Sequence, residues 1–464
     1  MRQLVAAIIV AATGGAALGQ PQSQPEQPAA SAPSPDGKPQ ESAAPQNQDT
    51  AKKGLLPIPD YAGEFWERRY LTGDWGGART DLAQRGITLD LTFTQVAQSI
   101  VSGGQDTGAR YGGKLDTVLN FDLDRMGALP GALVTVHIES RYGRSVNGAA
   151  GTLLPVNDVL YFPLTSDIDE DILATITELR YTQFLSKEVG FFIGKFTVLG
   201  GDANEFAGGD GDSQFMSHTF TSASVTALTN PYSTLGGGVL YMPDSNLTIS
   251  STVYASGDSS TSAGFDTLDD GLLWSTSVKA QYRLGGLPGG MMATAQYAFD
   301  NNFVDFNGQF VGPSGVSLPL KGDSWNVFWN GWQYLYVKDA AEKPINITDG
   351  RPDLRGIGLF ARAGTADRDT NPVEWVVSGG IGGRGMIPGR DLDTFGIGYG
   401  YSRIRQTPFV TTRFLDSESS RFEAFYNVAV TPVADLTFDV QYADSVVRGD
   451  DPAFILGLRL RVRF

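Results

Sequence analysis

The chain has 464 residues, no cysteine, two histidines and a formal net charge of −16. Without cysteine, disulfides and thiolate metal centres are excluded, and two histidines leave little room for histidine-based catalysis. The negative balance argues against nucleic acid as a partner.

Residues 1–19 read as an export signal. Arg2 supplies a basic start, the stretch 4–12 is apolar, and Ala17-Leu18-Gly19 is a small-x-small cleavage site. No other run approaches the roughly 18 apolar residues of a membrane helix. The mature protein is therefore expected to be exported and soluble, or a membrane barrel. Residues 20–60 open on a stretch, to about Gly54, that is rich in Pro, Gln, Ala and Ser with almost no large apolar residue. This segment is expected as a disordered periplasmic tether. Aromatics enter at Tyr61, Phe65, Trp66, Tyr70 and Trp75. Within this N-terminal periplasmic segment, 61–86, the stretch 80–86 reads as a short helix, capped by Thr80 or Asp81 and ended by Gly86.

After Gly86 the apolar period becomes two, the mark of strands with one greasy and one polar face. Leu89, Leu91 and Phe93 alternate with Thr88, Asp90 and Thr92; Val134, Val136 and Ile138 alternate with Thr135, His137 and Glu139. About sixteen such segments recur to the end of the sequence. The last, 454–464, has apolar residues at even positions and Arg459, Arg461 and Arg463 on the other face. Three arginines on one face are out of place against a soluble core. They suit a strand with lipid outside and a wet lumen inside.

The connections alternate in length. Short ones lie at 124–131, 186–188, 243–246, 285–290 and 432–435, and long ones at 143–172, 199–232, 256–271, 301–322 and 404–420. Short turns at one end and long loops at the other are what an up-and-down outer-membrane barrel requires. The connection 339–353 breaks the pattern: it falls on the short side yet is long, as a miscounted strand would make it. The expected fold is all-β, a transmembrane outer-membrane β-barrel of about 16 antiparallel strands over residues 87–464.

Gly73, Asp74, Trp75, Gly76, Gly77, Ala78 and Arg79, followed by Leu82 and Gly86-Ile87, resemble the opening signature of the OprB-type carbohydrate-selective porins. Partial matches follow at Gly194-Lys195, at Gln214-Phe215-Met216, and at Glu423, Tyr426 and Thr431-Pro432. The resemblance implies a barrel of roughly sixteen strands that passes sugars by diffusion. The Pro/Gln-rich tether is a departure from it. The signature is expected to be structural, with Trp75 at the periplasmic rim.

Alternation places Lys114, Asp116, His137, Glu139, Arg141, Glu178, Arg180, Lys195, Glu374, Arg384, Arg421 and Glu423 on the polar face. These are the candidates for a constriction of mixed charge, since interleaved guanidinium and carboxylate groups can replace the water lost by sugar hydroxyls. The alternative is a set of wall residues pairing with their neighbours. Glu139 with Arg141 and Glu178 with Arg180 are expected at one level of the channel. Trp325 and Trp329 share one face of their strand, and Trp332, Tyr334 and Tyr336 the other. An interfacial girdle is preferred over a sugar-stacking ladder. The loop 199–232, with Asp202, Glu205, Asp210 and Asp212, is a candidate to fold inward. It and the cluster Asp167, Asp169, Glu170 and Asp171 are read as solvated charge before calcium ligands. No G-x-S-x-G or H-E-x-x-H occurs, so no enzyme is expected, and no cofactor or metal. The expected function is passive sugar diffusion, with a general or anion-preferring porin, or a plugged structural barrel, as alternatives. Expected partners are small sugars, outer-membrane lipid and the barrel-assembly machinery.

Overall fold

The computed structural model describes residues 54–161, 174–200, 202–227, 229–308, 310–312, 315–317, 319–340, 354–406 and 415–464. The export signal, most of the tether, the 167–171 acidic cluster and residues 341–353 lie outside the described residues.

Sixteen antiparallel strands close into one barrel. In chain order they are β1 (Ile87–Ser102), β2 (Gly108–Asp122), β3 (Ala132–Gly143), β4 (Thr175–Phe184), β5 (Val189–Thr197), β6 (Ser233–Asp244), β7 (Leu247–Ala255) and β8 (Leu272–Leu284). There follow β9 (Leu287–Phe299), β10 (Ser324–Ala340), β11 (Leu354–Ala366), β12 (Val373–Arg384), β13 (Thr394–Ile404), β14 (Glu418–Thr431), β15 (Ala434–Ala443) and β16 (Ala453–Arg463). Each strand pairs with its chain neighbours, and β1 pairs with β16, so the sheet has no edge. The strands on either side of 341–353, β10 and β11, pair directly with each other. The strand count is therefore not off by one at this connection.

Local chemistry accounts for the two ends. At one end turns are tight: Leu284 pairs with Leu287, and Gly285 and Gly286 between them have φ of 59° and 84°. That is the two-residue hairpin turn that favours glycine at both central positions. At the other end lie the long connections, including the one from β5 to β6.

The greasy face of each strand looks outward. On β16, Leu456 and Leu458 are 43% and 45% exposed while Arg459, next after Leu458, and Thr437 opposite it are buried. Strand β10 departs from strict alternation. Trp325 and Trp329 are exposed outside, and Trp332 and Tyr334 are buried inside. Tyr336 was grouped with the inner pair by period two, yet it is exposed. A β-bulge between Tyr334 and Tyr336 inserts a residue and reverses the parity.

The N-terminal segment carries one short helix, α1 (Ala78–Gln84), two residues earlier than the sequence pattern sets it. Neither Thr80 nor Asp81 caps it. The Asp74 carboxylate does so from outside, accepting from the Thr80 N–H at 2.8 Å and its hydroxyl at 2.7 Å. Gly86, with φ of 96°, ends it and starts β1.

Candidate functional site in the barrel lumen

The connection from β5 to β6 lies inside the barrel, because it touches walls on every side. It contacts β3, β10, β11, β14 and β16 through side chains. Its apolar side has a prepared seat. Phe206, Phe215 and Phe220 cluster with Trp332, Tyr334, Phe360 and Phe425. The inner faces of β12 and β13 opposite them are lined by glycine. A Cβ on Gly396 would come within 2.8 Å of Phe215, and one on Gly398 within 2.8 Å of Phe220. The close approach of these rings thus requires glycine at both positions.

Polar groups pin the same loop. Asp202 accepts from Arg362 of β11 (Nε–Oδ2 3.0 Å) and from Asn330 of β10 at 2.8 Å. The Arg362 guanidinium also donates to the Ala207 carbonyl. Glu423 of β14 accepts from the backbone N–H groups of Met216 (2.5 Å) and Ser217 (3.0 Å). Arg421 donates to the Leu154 and Pro155 carbonyls, each at 3.0 Å, and to the Ser217 hydroxyl at 2.7 Å. Arg459 of β16 donates to the Gly211 carbonyl, to the Gln214 carbonyl at 2.8 Å, and to Thr437 at 3.0 Å. The β3–β4 connection is tied to the same loop by His218 Nδ1 and Asp158 at 2.9 Å. Burial works against the Asp158 charge, but His218 and the Thr221 hydroxyl hold its carboxyl below the usual carboxylate range.

A charged wall faces the polar tip of this loop. On β2 and β3, Lys114 Nζ lies 3.0 Å from both Asp116 and Glu139. Arg141 lies 3.2 Å from Glu139, and His137 Nε2 is 2.9 Å from Asp116. The Tyr232 hydroxyl, at the end of the loop, sits 2.8 Å from Glu139 and accepts from Arg141 at 2.5 Å. Strand register extends the row across the seam: Arg141 opposes Lys114, Lys114 opposes Thr94, Thr94 opposes Arg461, and Arg461 opposes Asp435. Arg461 reaches Asp212 of the loop at 3.3 Å and Asp435 at 3.4 Å. Burial pushes the Asp212 carboxyl up, but Arg461, Lys114 and Arg459 outweigh it and hold it down at about 2.

The candidates taken from alternation thus separate. Lys114, Asp116, His137, Glu139 and Arg141 form one cluster. Glu178 and Arg180 pair at 3.0 Å, but register sets Arg180 opposite Thr135, six residues from Arg141 and about 20 Å along the strand. The two pairs therefore do not share one level. Lys195 donates to the Ser262 carbonyl at 2.7 Å and so ties down the β7–β8 connection. Arg421 and Glu423 hold the inward loop. Glu374 pairs with Arg368 and Arg405, each at 3.6 Å, at the long-loop end of β12, whereas Arg384 ends the strand about 33 Å away. Period two gives the face of a residue, never its height.

Arg362, Tyr232 and the loop role of Asp202 escape that reading because their partners are more than 90 residues away in sequence. One signal was available: Gly396, Gly398 and Gly400 alternate on one face of β13, which announces a body packed against it. Asp116, His137 and Glu139 bring ligand atoms within 4.8 Å of one another. The Lys114 ammonium already lies between two of these carboxylates, so the donor set serves an internal cation.

A closed sixteen-stranded barrel with an inward loop and a charged lumen wall defines a porin-type channel. The sequence pattern of the carbohydrate-selective porin family, OprB, matches residues 106–464, and the chain belongs to that family. The opening signature at 73–79 lies outside the matched stretch. Porin B of Pseudomonas aeruginosa is 24% identical over 404 residues, covering 80% of this chain and 82% of that protein. The high-pH structure of Pseudomonas putida OprB superposes with a TM-score of 0.73 at 20% identity, covering 87% of this chain and all of that one. Its low-pH form gives 0.53 at 14% identity, over 86% and 99% of the two chains. Family and fold place the protein among Gram-negative outer-membrane porins, with the short turns on the periplasmic side.

Proposed function

We propose that the chain selects small neutral sugars at a constriction between the tip of the inward loop and the row Arg141, Lys114, Arg461 and Asp435. The observation that carries this reading is the interleaving of signs. Lys114, Arg141 and Arg461 alternate in space with Glu139, Asp116, Asp212 and Asp435. Sugar hydroxyls donate and accept, so such a row replaces part of their hydration shell while offering an ion of either sign little gain. Each contact is shared with a protein partner and stays weak enough for release. The remaining partners follow from the barrel: lipid around the outer face, and assembly machinery after export through the 1–19 signal.

An anion-preferring channel is the second reading. It is favoured by Arg459, Arg461 and Arg463 on one face of β16 beside Lys114. Liposome swelling with sugars of graded size, together with a reversal potential across a salt gradient, separates the two. The sugar reading predicts permeation falling faster than size alone dictates and a reversal potential near zero. A strong anion potential with purely size-limited sugar flux would replace it by the second reading.

A further inference from the structure

The signature at 73–79 is not part of the lumen site. We infer that Arg79, held in an aromatic cage, is a clasp that completes the barrel seam where β16 runs out.

The seam is the least local pairing in the fold. The β1–β16 ladder runs from Phe454 to the pair Thr92 and Arg463, and the Phe464 N–H adds one bond to the Leu91 carbonyl at 2.8 Å. β1 itself begins at Ile87, so its residues 87–91 lie outside the ladder with β16. Arg79 stands in that place. Its Nη2 donates to the Leu89 carbonyl at 2.5 Å and to the Phe464 backbone oxygen at 2.9 Å, bridging two sides of the seam that lie 10 and 385 residues from it. A second stitch joins the Leu71 N–H to the Arg463 carbonyl at 2.8 Å.

A buried guanidinium is costly unless its charge is met. The nearest side-chain carboxylate, Asp90, is 4.0 Å away. Nε and Nη1 have no hydrogen-bond partner among the described residues. Ring faces surround the charge as well: Tyr61 at 4.1 Å, Tyr70 at 4.4 Å and Trp75 at 5.3 Å from the guanidinium carbon. Burial above all pushes the Tyr61 phenol up to about 12, so that ring stays neutral near pH 7. The rest of the signature sets up the cage. Gly76 and Gly77 take φ of 70° and 99° so that the chain turns tightly after Trp75, and Asp74 caps the helix that presents Arg79. The segment is anchored at its other end by the Leu56 N–H on Asp122 at 3.0 Å and by Arg125 on the Leu56 carbonyl at 2.5 Å.

The test uses the absence of cysteine. Ala97 and Leu458 oppose each other across the seam, away from the clasp, and Ala97→Cys with Leu458→Cys staples it. Unfolding rates in detergent are read from the heat-modifiable gel shift, and single-channel conductance from planar bilayers. Arg79→Ala is expected to unfold about tenfold faster or more, having lost two charge-assisted hydrogen bonds. It should conduct like the wild type, and the staple should return its unfolding rate to that of the stapled wild type. Arg79→Lys should fall between, because an ammonium keeps the cage but is not a fork that spans both carbonyls. If Arg79→Ala yields no folded barrel, Arg79→Lys carries the same comparison with and without the staple. Unfolding at the wild-type rate, or a variant that the staple fails to rescue, overturns the clasp.

Discussion

On β2 and β3, the buried charges Lys114, Glu139 and Arg141 meet one another and the Tyr232 hydroxyl. On β14 and β16, Arg421 and Arg459 are as deeply buried, yet the bonds they make are to loop carbonyls and hydroxyls. Both walls arise from the same alternation of polar and apolar residues. The difference lies in what comes to meet them. The first wall meets the Tyr232 end of the inward loop, and its charges pair chiefly with one another. The second meets loop backbone, and its guanidinium groups serve as fixed donors that hold the loop in place. On the proposed reading, one wall sets the chemistry of the passage and the other sets its width.

That division yields an ordered set of outcomes. The largest effect is expected from Glu139→Ala, which strands two buried cations. Its stability, measured by denaturant unfolding, should fall by about 3–5 kcal/mol. A loss under 1 kcal/mol would mean that the β2–β3 charges are solvated and independent. Arg459→Ala should cost about 2–3 kcal/mol through the loop carbonyls left without donors. Here conductance should rise and sugar discrimination fall, since the loop loses its β16 anchor. Unchanged conductance would remove the second wall from the control of width. Gly398→Val places a side chain where Phe220 sits. Overpacking of this kind costs about 1–3 kcal/mol, and the displaced loop should lower conductance rather than raise it.

The smallest expected effect is on acidification. Asp212 is held at about 2, below its ordinary value. A carboxyl depressed in the folded state stabilises it fully above the unfolded pKa, near 4, and that contribution is lost as pH falls through the folded value. The tip should therefore be insensitive to Asp212 between pH 8 and 4 and loosen between pH 4 and 2. Conductance of wild type and Asp212→Asn across that range checks the sign: the variant should lack the acid step.

Much of the fold was legible because strand period is a local property. The alternating segments in the sequence coincide with the sixteen strands, and the loop 199–232 is long enough to fold inward. Level was not legible. Glu374 and Arg384 share a face and sit at opposite ends of β12, and Arg180 stands well below Arg141, because register and stagger are set by pairing between strands. Tyr336 was misplaced by a single bulge. The anchors Arg362, Asp202 and Tyr232 depend on contacts across the barrel that no local pattern encodes.

On the proposed reading, the passage is tuned at the level of Arg141 and not one strand over at Arg180. The most direct test is the ratio of monosaccharide to disaccharide flux in liposomes for wild type, Arg141→Ala and Arg180→Ala, each shown to keep its heat-modifiable shift. Arg141→Ala should lower the ratio while Arg180→Ala leaves it at the wild-type value. Equal ratios in all three, or a fall confined to Arg180→Ala, would contradict it.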